Sequence, residues 1–147
     1  YICIWPVCYG LLVATVWAIE RIVPGFNVTE HESISLLIGP DATRVVRAIT
    51  VTSALVMAAV QEEFFFRGIL QQWLYRATGS GWMAITVTAC AFGLFHWPLF
   101  HTMPALAAFG AMLGILYFRT RSLTLVILLH GMFNGKTLLW IALGAQP

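Results

Sequence analysis

Residues 123–143 read LTLVILLHGMFNGKTLLWIAL, an apolar run with His130 and Asn134 among its polar interruptions. The hydrocarbon core of a bilayer, about 30 Å thick, takes about 20 helical residues to cross, so this stretch reads as a transmembrane helix. Four further stretches upstream have the same character. They run over residues 1–19, from Val45 to about Tyr75, over 82–97 with Pro98 as the stop, and over 104–118. The second is longer than one crossing requires, so its later part is expected to bend, tilt or run along the surface. Turns are expected at Ala77–Gly81 and Arg119–Ser122.

Composition agrees with that count. The chain has 147 residues, 60% of them hydrophobic and 10% charged, with a mean hydropathy of +0.85, which excludes a water-soluble domain of this size. The expected fold is an all-α, polytopic transmembrane helix bundle of about five spans. Residues 1–44 form an N-terminal span and polar loop, and 45–147 the functional core. The loop, 20–44, holds four of the six acidic residues, the turn Gly39-Pro40-Asp41 and an expected surface helix around Ser33 to Ile38. Asn27-Val28-Thr29 fits a glycosylation sequon, a pattern too common by chance to carry weight.

A net charge of +2 with scattered basic residues excludes a nucleic-acid binder. Cys3, Cys8 and Cys90 lie in apolar stretches without a CxxC pair, so they read as small buried hydrophobes. The chain starts at Tyr1 without methionine and is apolar at once, as a fragment or processed chain would be. Residues 1–19 lack the charged lead-in and cleavage site of a signal peptide. Arg76, Arg119 and Arg121 fall on one side of the bundle, and the positive-inside rule makes that side cytoplasmic. The expected location is the plasma or inner membrane of a prokaryote.

An ionisable group at mid-bilayer costs about 2.5–3.5 kcal/mol on insertion scales, so it persists where it faces the bundle interior and finds partners. The groups in question are Glu62, Glu63, Arg67, His96 and His130, with Asn134 as a neutral companion. Glu63 and Arg67 are four apart, acid first, the favourable order for an ion pair on one helix face. Glu62 is rotated by about 100° from Glu63 and has no basic residue three or four positions away, so its partner must come from another helix. His130 and Asn134, four apart, share one stripe of the last span. Counted from the Arg76, Arg119 and Arg121 side at about 1.5 Å per residue, Glu62, His96 and His130 lie at a common depth of roughly 10–20 Å, so they can meet in one cavity.

Glu62-Glu63-Phe64-Phe65-Phe66-Arg67, Phe92-Gly93-Leu94-Phe95-His96 and His130-Gly131-Met132-Phe133-Asn134 resemble, in order, the EExxxR, FxxxH and HxxxN motifs of the CAAX-protease and bacteriocin-processing family, also called the Abi or Rce1-like family of intramembrane glutamate proteases. The resemblance covers roughly Val45 to Leu143. It implies a membrane endopeptidase in which Glu62 activates a water, His96 helps to hold it, and His130 and Asn134 stabilise the oxyanion. Glu63 and Arg67 would support the first motif, Arg67 alternatively meeting a substrate carboxylate. The implied partners are a peptide or protein substrate at the membrane and the lipid bilayer itself, with no cofactor and no metal. Independently of the family, a carboxylate without local counter-charge in a poorly hydrated cavity suits proton abstraction from water near neutral pH. Imidazole and carboxamide donors aimed at a developing alkoxide contribute on the order of 3–4 kcal/mol each.

Each residue also has a plainer reading. An intramembrane Glu-Arg pair is more often a packing device, which is the reading adopted for Glu63 with Arg67. A lone histidine in a span is usually a hydrogen-bonded packing residue, and Asn134 alone would be interhelical glue. His101 reads as a loop residue and His31 as solvated; Phe64 to Phe66 and the tryptophans read as packing and interfacial anchors. Rival functions are a zinc-dependent membrane protease with Glu62, His96 and His130 as ligands, a non-catalytic binding or immunity protein, and a proton-coupled transporter. The absence of HExxH counts against zinc, and the absence of an inverted repeat against transport.

Overall fold

The structure is a computed structural model and describes residues 4–28, 36–37, 39 and 42–143. Most of the expected surface helix around 33–38, of which residues 36–37 are described and helical, most of the Gly39-Pro40-Asp41 turn, Cys3 and His31 lie outside the described residues. Five helices stand where five spans were expected: α1 Ile4–Ile22, α2 Arg44–Thr78, α3 Gly81–Phe95, α4 Met103–Thr120 and α5 Leu123–Ala142. Among the described residues there is no strand. The fold is therefore an all-α bundle. Among the described residues three segments are long and apolar enough to cross a membrane, Arg44–Thr78, Trp97–Thr120 and Leu123–Ala142, while Gly81–Phe95 is a shorter apolar helix.

Local chemistry sets the helix ends. The side chains of Thr43, Ser80 and Ser122 accept hydrogen bonds from the backbone N–H of Val46, Met83 and Leu125, each at 3.2 Å, and so cap α2, α3 and α5. Gly79 closes α2 in the left-handed region at φ 69°, and Arg121 closes α4 at φ 55°. The third span was expected to reach Trp97, but α3 stops at Phe95. Pro98 has no N–H to continue the α-helical ladder, His96 takes up the non-helical cap position (φ −93°, ψ 26°), and a 3₁₀ segment, Trp97–Thr102, leads into α4.

The long second helix does not break. It carries two π-helical stretches, Ser53–Ala58 and Phe64–Gln71, on either side of the α-helical turns Ala59–Glu63. Such widened turns shift the phase of the side chains that follow, and they recur at functional sites. Here they bracket Glu62 and Glu63.

The bundle packs around Phe66, Phe92, Phe109, Leu113, Tyr117 and Val126. α3 and α4 are the most extensively packed pair, α1 lies on α4, and α5 lies on the 53–63 part of α2. Cys8 links the first helix to the fourth by donating its Sγ–H to the Ala105 carbonyl at 3.4 Å. Two readings need correction. Cys90 is exposed, because the inward stripe of α3 is already filled by Ala84, Ile85, Thr88, Ala89 and Phe92. His101 is buried, with Phe26 and Phe100 packed edge-on against its ring. Trp17, Trp73, Trp82 and Trp97 face outward, as membrane anchors do.

Without a hydrophobic drive between helices in lipid, close approach depends on small residues. Gly131 is the tightest such point: a Cβ there would lie 2.5 Å from the Leu55 carbonyl oxygen, whereas one at Gly135 would lie 3.5 Å from a Leu55 methyl. Gly131→Ala should therefore push α5 off α2 and cost about 1–3 kcal/mol, read as a lowered unfolding midpoint in detergent. Gly135→Ala should leave the midpoint unchanged; an equal loss in both variants would contradict the close approach at residue 131.

Candidate active site

Glu62 and Glu63 end the short α-helical part of α2, and the widened turn that follows begins at Phe64. Glu63 turns fully inward. Its Oε1 accepts from Arg67 at 2.9 Å and from His130 Nδ1, halfway along α5, at 2.7 Å. Arg67, also without exposure, gives a second N–H to the Gly110 carbonyl of α4 at 2.8 Å. One carboxylate oxygen thus joins α2 to α5, and the guanidinium that pairs with it joins α2 to α4.

The hydrogen bond from Nδ1 fixes the orientation of the His130 ring, whose Nε2 then faces Glu62 at 3.9 Å from Oε2. That separation is too long for a direct hydrogen bond. Glu62 keeps 19% exposure at its side chain while Glu63 has none, so the two neighbouring carboxylates meet different surroundings. Glu62 Oε2 is itself buried and has no hydrogen-bond partner in the protein.

Phe92 ties the second motif to this cluster. Its ring lies 4.9 Å from the Arg67 guanidinium carbon, 5.3 Å from the His96 ring and 5.8 Å from the His130 ring. Phe109 closes on His130 from α4 at 5.3 Å. His96, half-buried, hydrogen-bonds through Nδ1 to the Phe92 carbonyl at 2.9 Å, which leaves Nε2 as its outward-acting nitrogen. Asn134, one turn beyond His130, donates Nδ2–H to the Ala54 carbonyl at 2.9 Å, inside the first π-helical stretch.

Glu63, Arg67 and His130 therefore form one directly hydrogen-bonded cluster with Glu62 facing it at 3.9 Å, His96 reaches it through Phe92, and Asn134 is engaged with backbone. The imidazole directly across from Glu62 is that of His130. Among the described residues no three His, Cys, Asp or Glu side chains are grouped so as to hold a metal ion. Sequence reasoning did not single out Phe92 as the common wall, nor Gln71, which repeats the spacing from Glu63 to Arg67 once more and donates to the Gly114 carbonyl at 3.0 Å. The i, i+4, i+8 series of polar residues in an apolar span was the available signal.

Over residues 44–135 the chain matches the family model described as type II CAAX prenyl endopeptidase Rce1-like. The chain belongs to the Rce1-like family. The matched region starts with α2 and includes all three motifs. Membership makes it an integral membrane protein of a family of CAAX-type intramembrane proteases. No curated protein and no solved structure matches the chain.

Removing one partner of a buried ion pair costs about 3–5 kcal/mol, because the other charge is left uncompensated. Arg67→Met should fall in that range by chemical or thermal unfolding in detergent. The Glu63→Gln/Arg67→Met double variant should recover part of the loss, since a carboxamide oxygen still accepts from His130 without leaving a charge. A double variant less stable than Arg67→Met would contradict the pairing.

Proposed function

We propose that this chain is an intramembrane endopeptidase that cuts peptide bonds of membrane-associated substrates, with Glu62 as the base that activates water. The observation that carries the reading is the facing pair: an unpartnered, buried carboxylate oxygen of Glu62 and, 3.9 Å away, the Nε2 of an imidazole already pinned at Nδ1. A single water can bond both groups across such a gap.

Charge balance supports a specific resting state. Two carboxylates and one guanidinium sum to one negative charge, which a low-dielectric interior disfavours. One proton shared between Glu62 and His130 makes the cluster neutral. With that proton on Nε2, Glu62 is free to act as base and the imidazolium to act as donor.

In the reaction the water oxygen bonds to the scissile carbonyl carbon while its proton passes to Glu62. The carbonyl oxygen, now carrying negative charge, accepts from His130 Nε2–H. Collapse breaks the C–N bond, and Glu62 returns its proton to the departing amine. His96, held at Nδ1 by the Phe92 carbonyl, presents Nε2 as a further ligand for the water. Asn134 serves as a second oxyanion donor on releasing Ala54. Glu63 and Arg67 position His130 and do not touch substrate. CAAX-type tails and leader-like peptides, both presented at the membrane, are the substrate classes this reading expects.

Reconstituted in liposomes with a library of lipidated and unlipidated peptides, the chain should cleave a subset, and cleavage should persist in a strong chelator. Glu62→Gln should bind the same peptides and turn them over at least about 10²-fold more slowly. Turnover unaffected by Glu62→Gln, or lost with chelator and restored by zinc, would overturn the glutamate mechanism.

A further inference from the structure

From the cluster outward, the interior holds a row of polar atoms that the protein does not satisfy. Glu62 Oε2, Glu63 Oε2, Arg67 Nε, Gln71 Oε1 and Thr88 Oγ1 are all buried without a hydrogen-bond partner. Leaving such groups unpaired carries their full desolvation penalty, so five along one strip is not a pattern that packing alone sustains. Arg67, Gln71 and Thr88 are 0%, 2% and 1% exposed.

The five lie along one path. Glu63, Arg67 and Gln71 follow at intervals of four on the inward face of α2, and Arg67 and Gln71 bond the carbonyls of Gly110 and Gly114 on α4. A Cβ at Gly114 would lie 3.0 Å from Gln71 Oε1 and 3.4 Å from Ile85 of α3, so that carboxamide oxygen sits where three helices meet. Arg67 in turn lies over Phe92. Thr88 stands on the same inward stripe of α3 between Ile85, which meets Gln71 at Gly114, and Phe92, which lies under Arg67. Beyond Gln71, Gln72 donates to the Tyr117 hydroxyl at 2.8 Å, and Tyr117 lies within one turn of Arg119 and Arg121, where α4 ends.

The chemistry of the row selects its occupant. Carboxylate and carboxamide oxygens only accept, the Arg67 Nε–H only donates, and the Thr88 hydroxyl does both. An anion would meet Glu62, Glu63 and the Gln71 oxygen, and a cation would meet the Arg67 guanidinium. A small neutral molecule that donates and accepts suits every station, and a buried water needs two to four such partners. We propose that this strip binds a file of water molecules leading from the Arg76, Arg119 and Arg121 face to Glu62, and that the file supplies the water consumed in hydrolysis. The second half of the proposal rests on the protease reading; the first does not.

X-ray radiolytic footprinting of the full chain in liposomes tests the file, because radicals formed from bound water oxidise the side chains beside it. Ile85 and Phe92, although buried, should be oxidised. Thr88→Val, nearly isosteric and so the variant that keeps the fold, should abolish that oxidation, as should Gln71→Leu with Thr88→Val. Thr88→Ser should retain it, and exposed Trp73 and Trp82 should be unchanged in every variant. On a cleaved peptide, Thr88→Val should lower kcat about tenfold with KM unaltered, and Thr88→Ser should restore it. No oxidation of Ile85 and Phe92 in the native chain, or equal oxidation in Thr88→Val, would overturn the file. Lost oxidation with undiminished kcat would overturn its role as the supply. Oxidation that depends on Thr88 in a chain with no Glu62-dependent turnover would establish the file and remove the protease reading instead.

Discussion

Glu63 Oε1 accepts two hydrogen bonds at once, from a guanidinium on its own helix and from an imidazole on α5, in a part of the bundle without exposure. A carboxylate placed there alone would be intolerable, and so would the guanidinium. Each is admitted by the other, and the geometry that satisfies both also fixes the bundle. The second N–H of Arg67 binds the Gly110 carbonyl, so α2, α4 and α5 are held in a single register. The same bond at Nδ1 leaves Nε2 as the free nitrogen of the His130 ring, and that nitrogen looks at Glu62.

Short polar contacts between helices require that the backbones come close, and the packing is arranged to allow it. Gly110 lets the Phe92 ring lie against α4, Gly114 leaves room for the Gln71 carboxamide, and Gly131 brings α5 onto the Leu55 carbonyl. Phe92 then forms a wall common to Arg67, His96 and His130. A larger residue at any of these glycines would lengthen the contacts that hold the cluster together. Packing and electrostatics are thus not separable here, because each hydrogen bond depends on a missing side chain elsewhere.

Much of this was legible in the sequence where the determining interaction is local. Helix positions followed from the length of apolar runs, three of their boundaries from the turns at 77–81 and 119–122 and from Pro98, and the Glu63–Arg67 pair from a spacing of four. What escaped is non-local. Whether His96 or His130 stands directly across from Glu62 depends on the rotation of α3 and α5 about their own axes, which the two π-helical stretches of α2 also alter. Asn134 donates to Ala54, an acceptor eighty residues away that no spacing rule reveals. Cys90 was assigned inward on composition, and the stripe of larger and better-packed residues on α3 took that face instead.

The adjacency of two glutamates acquires a physical meaning from their unequal surroundings. Glu63 is closed in on every side and bound to a permanent cation, so its role is to hold. Glu62, one residue earlier, is rotated by about 100° toward the remaining exposure and has no cation beside it on α2. A group that must gain and lose a proton in each turnover has to sit where protonation changes little else. Were Glu62 paired with Arg67, taking up a proton would break the contact that binds three helices, and chemistry would work against the fold. Under the proposed mechanism, a fixed charge at residue 63 and a variable one at residue 62 would let proton transfer proceed at one carboxylate while the other keeps the bundle intact.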